Sequence, residues 1–153
     1  VAHFSFLPTV ESDELSDDIR ELFDDLTRSL KSDPTAYPGQ CRPLIDVFET
    51  DTAVELVVDT CGIPAEALRV VFRNGILIVA GEKAPTPSAP DAVYHLVERD
   101  FGRFARAVRI SGAFDVARAR TTLESGELVV VLPKLLERRG RAHRIAVTPH
   151  TPA

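Results

Sequence analysis

At 153 residues the chain is long enough to bury one core of ordinary size and too short for two comfortable ones. Its net charge of −5 excludes a general attraction to nucleic acid, which needs a concentrated basic surface. No apolar stretch approaches the roughly 20 residues that cross a bilayer as a helix, and no membrane span is expected. The opening Val1, Ala2, His3, Phe4, Ser5, Phe6, Leu7, Pro8 lacks the basic start and longer apolar run of a secretory signal, so a cytoplasmic protein is the expectation.

The first recognisable element is helical. Leu15, Ile19, Leu22, Phe23, Leu26 and Leu30 recur at spacings of three and four and form one apolar stripe. Ser12 or Asp13 stands where a cap is needed. Glu14, Asp17 and Asp18 suit the positive end of the helix dipole, and Arg28 and Lys31 suit the other. Asp33, Pro34, Pro38 and Gly39 end the helix in a linker. Its stripe must be buried either on its own domain or on another chain.

From Pro43 onward the period changes to that of strands, expected at 44–49, 53–59, 68–73, 76–80, 93–97, 104–110, 118–123 and 128–132. Asn74-Gly75 and Ser125-Gly126 fall between adjacent runs as tight-turn signals. No intervening stretch supplies a crossover helix, which leaves an all-β sandwich or barrel. Residues 84–92 hold Pro85, Pro87 and Pro90 and read as an exposed loop. Its length suggests a functional excursion or a following strand that pairs away from its own sheet. Beyond Pro133 the chain becomes polar, apart from an isolated apolar pair, Ile145 and Val147, on one side of an extended backbone. Charge is divided between the ends. Residues 1–40 carry nine acids and three bases, and residues 133–153 carry five bases and one acid. The ends either attract one another between subunits or are solvated tails. The organisation is therefore an arm with a helix (1–41), a sandwich (42–134) and an extended tail (135–153).

Chemistry-bearing constellations are not apparent. His3, His95, His143 and His150 are scattered, and no phosphate loop, nucleophile elbow or H-E-x-x-H helix occurs. Neither an enzyme, a cofactor nor a metal site is expected. Cys41 and Cys61 do not form a C-x-x-C pair, and two reduced thiols are the expectation over a lone disulfide.

Several separated segments, in order, resemble the small heat-shock protein family over roughly 43–147. They are Pro43-Leu44-Ile45-Asp46-Val47-Phe48-Glu49-Thr50, the hairpin at Asn74-Gly75-Ile76-Leu77-Ile78-Val79-Ala80-Gly81-Glu82, and Glu98-Arg99-Asp100-Phe101-Gly102-Arg103-Phe104-Ala105-Arg106. The block from Ala119 through Gly126 and Leu128 to Leu132-Pro133-Lys134 closes the series. Cys61-Gly62 and Ile110-Ser111 depart from the family pattern, each lacking a proline at a strand exit.

The resemblance implies an immunoglobulin-like β-sandwich of the α-crystallin type. Its implied function is that of an ATP-independent holdase in the stress response, binding unfolding proteins and passing them to ATP-dependent chaperones. A p23-like sandwich serving as co-chaperone or scaffold is the alternative. The bacterial and plant branch further implies a dimer by strand exchange, with Tyr94, His95, Leu96, Val97, Glu98, Arg99 and Arg106 at the contact. Arg103 is expected to be a solvated surface arginine.

By the same resemblance, Ile145 and Val147 anchor one dimer to the next. Their groove is expected to be lined by Val70, Phe72, Ala117, Ala119 and Thr121. Burying two such side chains contributes on the order of 3–5 kcal/mol before the tail's ordering entropy is subtracted. Phe4, Phe6 and Leu7, with the stripe Leu15, Ile19, Leu22, Phe23, Leu26 and Leu30, are the candidate client-binding residues.

Overall fold

The apolar stripe does fold as one helix, α1 (Asp13–Leu30). Lys31 leaves it in the left-handed region at φ 49°, which stops the helical hydrogen bonding. The computed structural model describes residues 4–7, 13–31, 33 and 39–135, with backbone alone for 4–7, 13 and 14.

Seven strands follow α1: β2 (Ile45–Glu49), β3 (Ala53–Asp59), β4 (Leu68–Arg73), β5 (Ile76–Lys83), β6 (Gly102–Ile110), β7 (Arg120–Glu124) and β8 (Glu127–Pro133). A short strand, β1 (Phe4–Leu7), precedes the helix. Two antiparallel sheets result, in the orders β1-β6-β5-β4 and β2-β3-β8-β7. The tight turns lie where the sequence placed them. Asn74 and Gly75 both have positive φ (52° and 75°), as do Ser125 and Gly126 (53° and 80°), the backbone that joins twisted antiparallel strands in two residues.

Alternation on the strands sets the core. Leu56 and Val58 of β3, Leu77 and Val79 of β5, Phe104, Val108 and Ile110 of β6, and Leu128, Val130 and Leu132 of β8 meet between the sheets. On the opposite face of the first sheet, Ile78, Ala80, Ala105 and Ala107 pack with Leu15 and Ile19 of α1. The helix thus buries its stripe on its own domain. The chain after it is drawn back against the sheet, because Gln40 bridges to Arg103 in parallel. That approach needs glycine on both sides. A Cβ on Gly39 would lie 2.6 Å from the Phe101 carbonyl oxygen, and one on Gly102 would overlap the Gly39 carbonyl.

The expected strand at 93–97 is not formed. The whole stretch 84–100 is exposed and, apart from a turn closed by Ala92 N–H donating to Ala89 O at 3.0 Å, is irregular. A strand needs an edge to pair with, and this segment lies on none of its own sheets. The strand expected from Arg118 instead begins at Arg120, after a single 3-10 turn (Val116–Arg118). The strand at 4–7 has too few residues for its periodicity to stand out, and only its pairing with β6 reveals it.

Candidate assembly and client surfaces

β4 and β7 are edge strands of different sheets, and between them the sandwich stays open. The opening is a groove of about 480 Å³. Val70 and Phe72 form one wall, Ala119 and Thr121 the other, and Leu77 and Val130 lie among its lining residues. Ala117 is not among those residues. The 3-10 turn brings Val116 there, 49% exposed. Phe72 is steadied by an edge-to-face contact with Phe114, with centroids 5.9 Å apart. The proposed occupants, Ile145 and Val147, lie outside the described residues.

A second open surface is the segment after the proline-rich loop. Val93, Tyr94, Leu96 and Val97 are between 64% and 76% exposed, which is unusual for four apolar or aromatic side chains within five positions. The Tyr94 hydroxyl donates to Ser88 Oγ at 3.0 Å, and His95 and Glu98 are also exposed. The Arg99 guanidinium lies 5.0 Å from the centre of the Phe101 ring. Across the molecule, β2 pairs with β3 on one side and with no other described strand, and Leu44 and Phe48 beside that edge are 71% and 45% exposed.

Arg106 lies on the inward-facing side of β6, and its Nη1 donates to the Pro43 carbonyl at 2.6 Å. Burial, with the neighbouring Arg42 charge, makes its proton somewhat easier to lose than usual, although an arginine stays charged at neutral pH. It therefore braces the entry to β2.

Arg103 is a correction to the sequence reading. Its side chain is 18% exposed, not solvated. Nε donates to buried Glu82 at 3.1 Å, Nη1 to the Phe23 carbonyl at 3.2 Å and Nη2 to Thr27 Oγ1 at 2.7 Å. The guanidinium also sits 5.6 Å from the Phe23 ring centre. One planar fork thus joins β5, β6 and α1, a geometry a lysine could not reproduce. The signal for this lay in alternation. Arg103, Ala105 and Ala107 share one face of β6, and small residues on an otherwise bare sheet face leave room for a helix.

More charged contacts cross between helix and sheet. Arg69 Nε donates to Asp25 Oδ2 at 2.6 Å and its Nη2 to Ser29 Oγ at 2.7 Å, while Arg73 Nη1 donates to Asp18 Oδ1 at 3.0 Å. The bond from Arg69 holds the Asp25 carboxyl below the ordinary carboxylate range. Leu15, Ile19 and Leu26 are buried, and Leu22, Phe23 and Leu30 are partly so. The helical residues expected to meet clients are thus packed on the sheet; the side chains of Phe4, Phe6 and Leu7 lie outside the described set.

Cys41 and Cys61 are both free. Among the described residues no group of three or more His, Cys, Asp and Glu could hold a metal ion, and no described helix is long and apolar enough to cross a membrane.

Two antiparallel sheets with an open inter-sheet groove and a segment before β6 that joins no strand among the described residues make a sandwich of the α-crystallin type. A model of the Hsp20/alpha crystallin family matches residues 46–148, and the chain belongs to that family. It is 28% identical over 105 residues to small heat shock protein C2 of Rickettsia felis, a match covering 69% of this chain and 67% of that protein. It is 33% identical over 91 residues to the 16.9 kDa class I heat shock protein 1 of Triticum aestivum (59% of this chain, 60% of that one). Against the 22.0 kDa heat shock protein of Arabidopsis thaliana the match spans 52% of the relative's length, at 28% identity over 66% of this chain. The chain thus spans about half to two thirds of these relatives.

Among solved structures, heat shock protein 16.0 from Schizosaccharomyces pombe superposes with a TM-score of 0.61 at 29% identity, covering 71% of this chain and all of that one. A small heat-shock protein from Xylella fastidiosa, described as having a distinct high order structure, gives 0.62 at 25% identity, covering 72% and 99%. Family membership supports a chaperone role.

Proposed function

We propose that the protein is an ATP-independent holdase, built from strand-exchanged dimers that associate further through the tail. The observation that carries the reading is the exposed segment Tyr94-His95-Leu96-Val97-Glu98, which presents Tyr94, Leu96 and Val97 to solvent and joins no strand among the described residues. An extended segment of this kind is stabilised by adding to an open sheet edge, and the free side of β2 with Leu44 and Phe48 offers one. Arg106 would then hold the acceptor strand in place through Pro43, and Arg99 would lie beside the contact.

Ile145 and Val147 would fill the groove between β4 and β7 of a neighbouring dimer, where Val70 and Phe72 receive branched side chains and the tail backbone adds to a strand edge. Many weak contacts of this sort give an assembly that holds together yet exchanges subunits. The site of action would be the cytoplasm, with held clients passed to ATP-dependent chaperones.

Native mass spectrometry tests the assembly. The unaltered chain should appear as multiples of a dimer, and Ile145→Ala with Val147→Ala should shift the mass toward dimers with little change in domain melting. A strictly monomeric chain at micromolar concentration would sink the reading. Suppression of client aggregation should proceed equally with and without ATP.

A further inference from the structure

We propose that the outer face of the first sheet is a docking platform for acidic amphipathic segments of other proteins, and that α1 is its built-in competitor. The proposal deepens the holdase reading and rests on it for the identity of those segments as parts of unfolding proteins.

The platform has an apolar floor and a basic rim. Ile76, Ile78, Ala80, Ala105 and Ala107 form the floor with α1 upon it. Three alanines make this floor shallow and undemanding in shape, unlike the interlocked inter-sheet core. Around it stand Arg69 and Arg73 from β4 and Arg103 and Arg109 from β6. Three of these four arginines bind α1: Arg69 through Asp25 and Ser29, Arg73 through Asp18, and Arg103 through Thr27 and the Phe23 carbonyl.

The helix that occupies the platform defines the chemistry that fits. Residues 13–30 contain seven acids and two arginines, and the apolar stripe lies between those acids. Nor does α1 fill the platform. Two clefts flank the Asp18–Arg73 pair. One, of about 540 Å³, is lined by Leu15, Ile76 and Arg109 among others; the second, of about 290 Å³, by Leu22 and Val71. Apolar side chains of the sheet therefore reach the surface on both sides of that ion pair. Departure of α1 would uncover the rest and leave the inter-sheet core largely closed, because the two apolar clusters share strands but lie on opposite faces, and Leu30 at the helix end is the helical side chain packed against the inter-sheet one.

A tethered competitor lowers the apparent affinity of any rival by the fraction of time it covers the site. Weakening α1 without touching the platform should therefore strengthen rival binding. The probe is a fluorescein-labelled peptide of residues 13–30, titrated by anisotropy into the full chain and into the full chain carrying Asp18→Asn and Asp25→Asn. A control peptide has Asp17→Lys, Asp18→Lys, Asp24→Lys and Asp25→Lys.

We expect about tenfold tighter peptide binding by the altered chain, as loss of two charge-assisted contacts warrants. Binding should weaken sharply in about 1 M salt, where the screening length is about 3 Å, and the lysine control should bind neither chain. Ile19→Ala, which loosens α1 through an apolar contact instead, should act in the same direction. Equal affinity for altered and unaltered chains, or equal binding of the lysine control, would overturn the proposal. Client aggregation is a separate readout. Tighter peptide binding without any suppression by either chain would uphold the platform and remove the holdase reading.

Discussion

The two faces of the first sheet are held in different ways, although the same strands supply both. On the inner face, Leu77, Val79, Phe104, Val108 and Ile110 interdigitate with branched side chains of β3 and β8. On the outer face, Ile78 and three alanines meet one helix, and much of the specificity comes from arginines that reach across to α1. Volume complementarity fixes the first interface, and a change of one methylene is felt there. Directional polar contacts add to apolar packing at the second, and salt or acid should weaken it before the sandwich.

The largest effect should come from the inner face. Leu56 is 1% exposed, and Leu56→Ala should cost about 3 kcal/mol by loss of buried surface and creation of a cavity. Cooperative melting should then fall by roughly 10 °C, with all strands affected together. A drop of one or two degrees would mean that the inter-sheet core is not the main source of stability.

Arg103→Met should act next and differently. It removes the donor to Phe23, Thr27 and Glu82 while keeping much of the side-chain volume, and Glu82 is only 3% exposed. The loss should be about 2–3 kcal/mol, felt mainly in the docking of α1. Hydrogen exchange should show amides of 16–30 opening faster while those of β3 and β8 stay protected. Equal acceleration in helix and strands would show that both faces belong to one cooperative unit.

The sequence made the inner face legible and the outer face much less so. Short runs rich in Val, Ile and Phe, with two Gly-containing turns, narrow the domain to a sandwich or barrel, and the family resemblance selects the sandwich. The helix was also evident, but its stripe had two lodgings open to it, and periodicity carries no information about which apolar surface it meets. Arg103 was misread because an arginine in a run of arginines looks like surface. Its burial depends on α1, eighty residues earlier for Phe23, arriving over the same patch. Segment 93–97 has strand composition, but whether it forms a strand depends on an edge outside its own sheets. The groove between β4 and β7 was reached through family resemblance, and its Val116 wall depends on a 3-10 turn with no strong sequence signal.

A smaller effect should separate the faces by pH. The hydrogen bond from Arg69 depresses the Asp25 pKa in the folded chain. Its contribution is therefore complete above the ordinary carboxylate pKa, about 4, and is lost as pH falls through the lower folded value. Helix amides should lose protection at acid pH before inter-sheet amides do. In Asp25→Asn that part of the pH dependence should be absent, and an unchanged acid profile would show that the Asp25–Arg69 pair does not help to hold α1.

The smallest effect locates the boundary between the two regions. Cys41 stands in the connection from α1 to β2, half-buried against the inter-sheet core, and burial raises its thiol pKa above the usual range, with Lys83 opposing and Asp100 adding to the shift. A raised pKa keeps the thiol protonated, and the thiolate is the species that reacts with alkylating agents. The contribution to stability is intact below the unfolded thiol value and is lost as pH rises through the folded one. Exposed Cys61 should therefore be alkylated by iodoacetamide severalfold faster than Cys41 near pH 8. The informative comparison is with Arg103→Met. If α1 lifts as a unit that ends before Gly39, Cys41 should stay slow, because Gly39 remains against the chain at Phe101 and Gly102 and Arg106 still holds the Pro43 carbonyl. If Cys41 instead becomes as reactive as Cys61 when α1 loosens, the connection moves with the helix, and the entry to β2 belongs to the outer region, not to the sandwich.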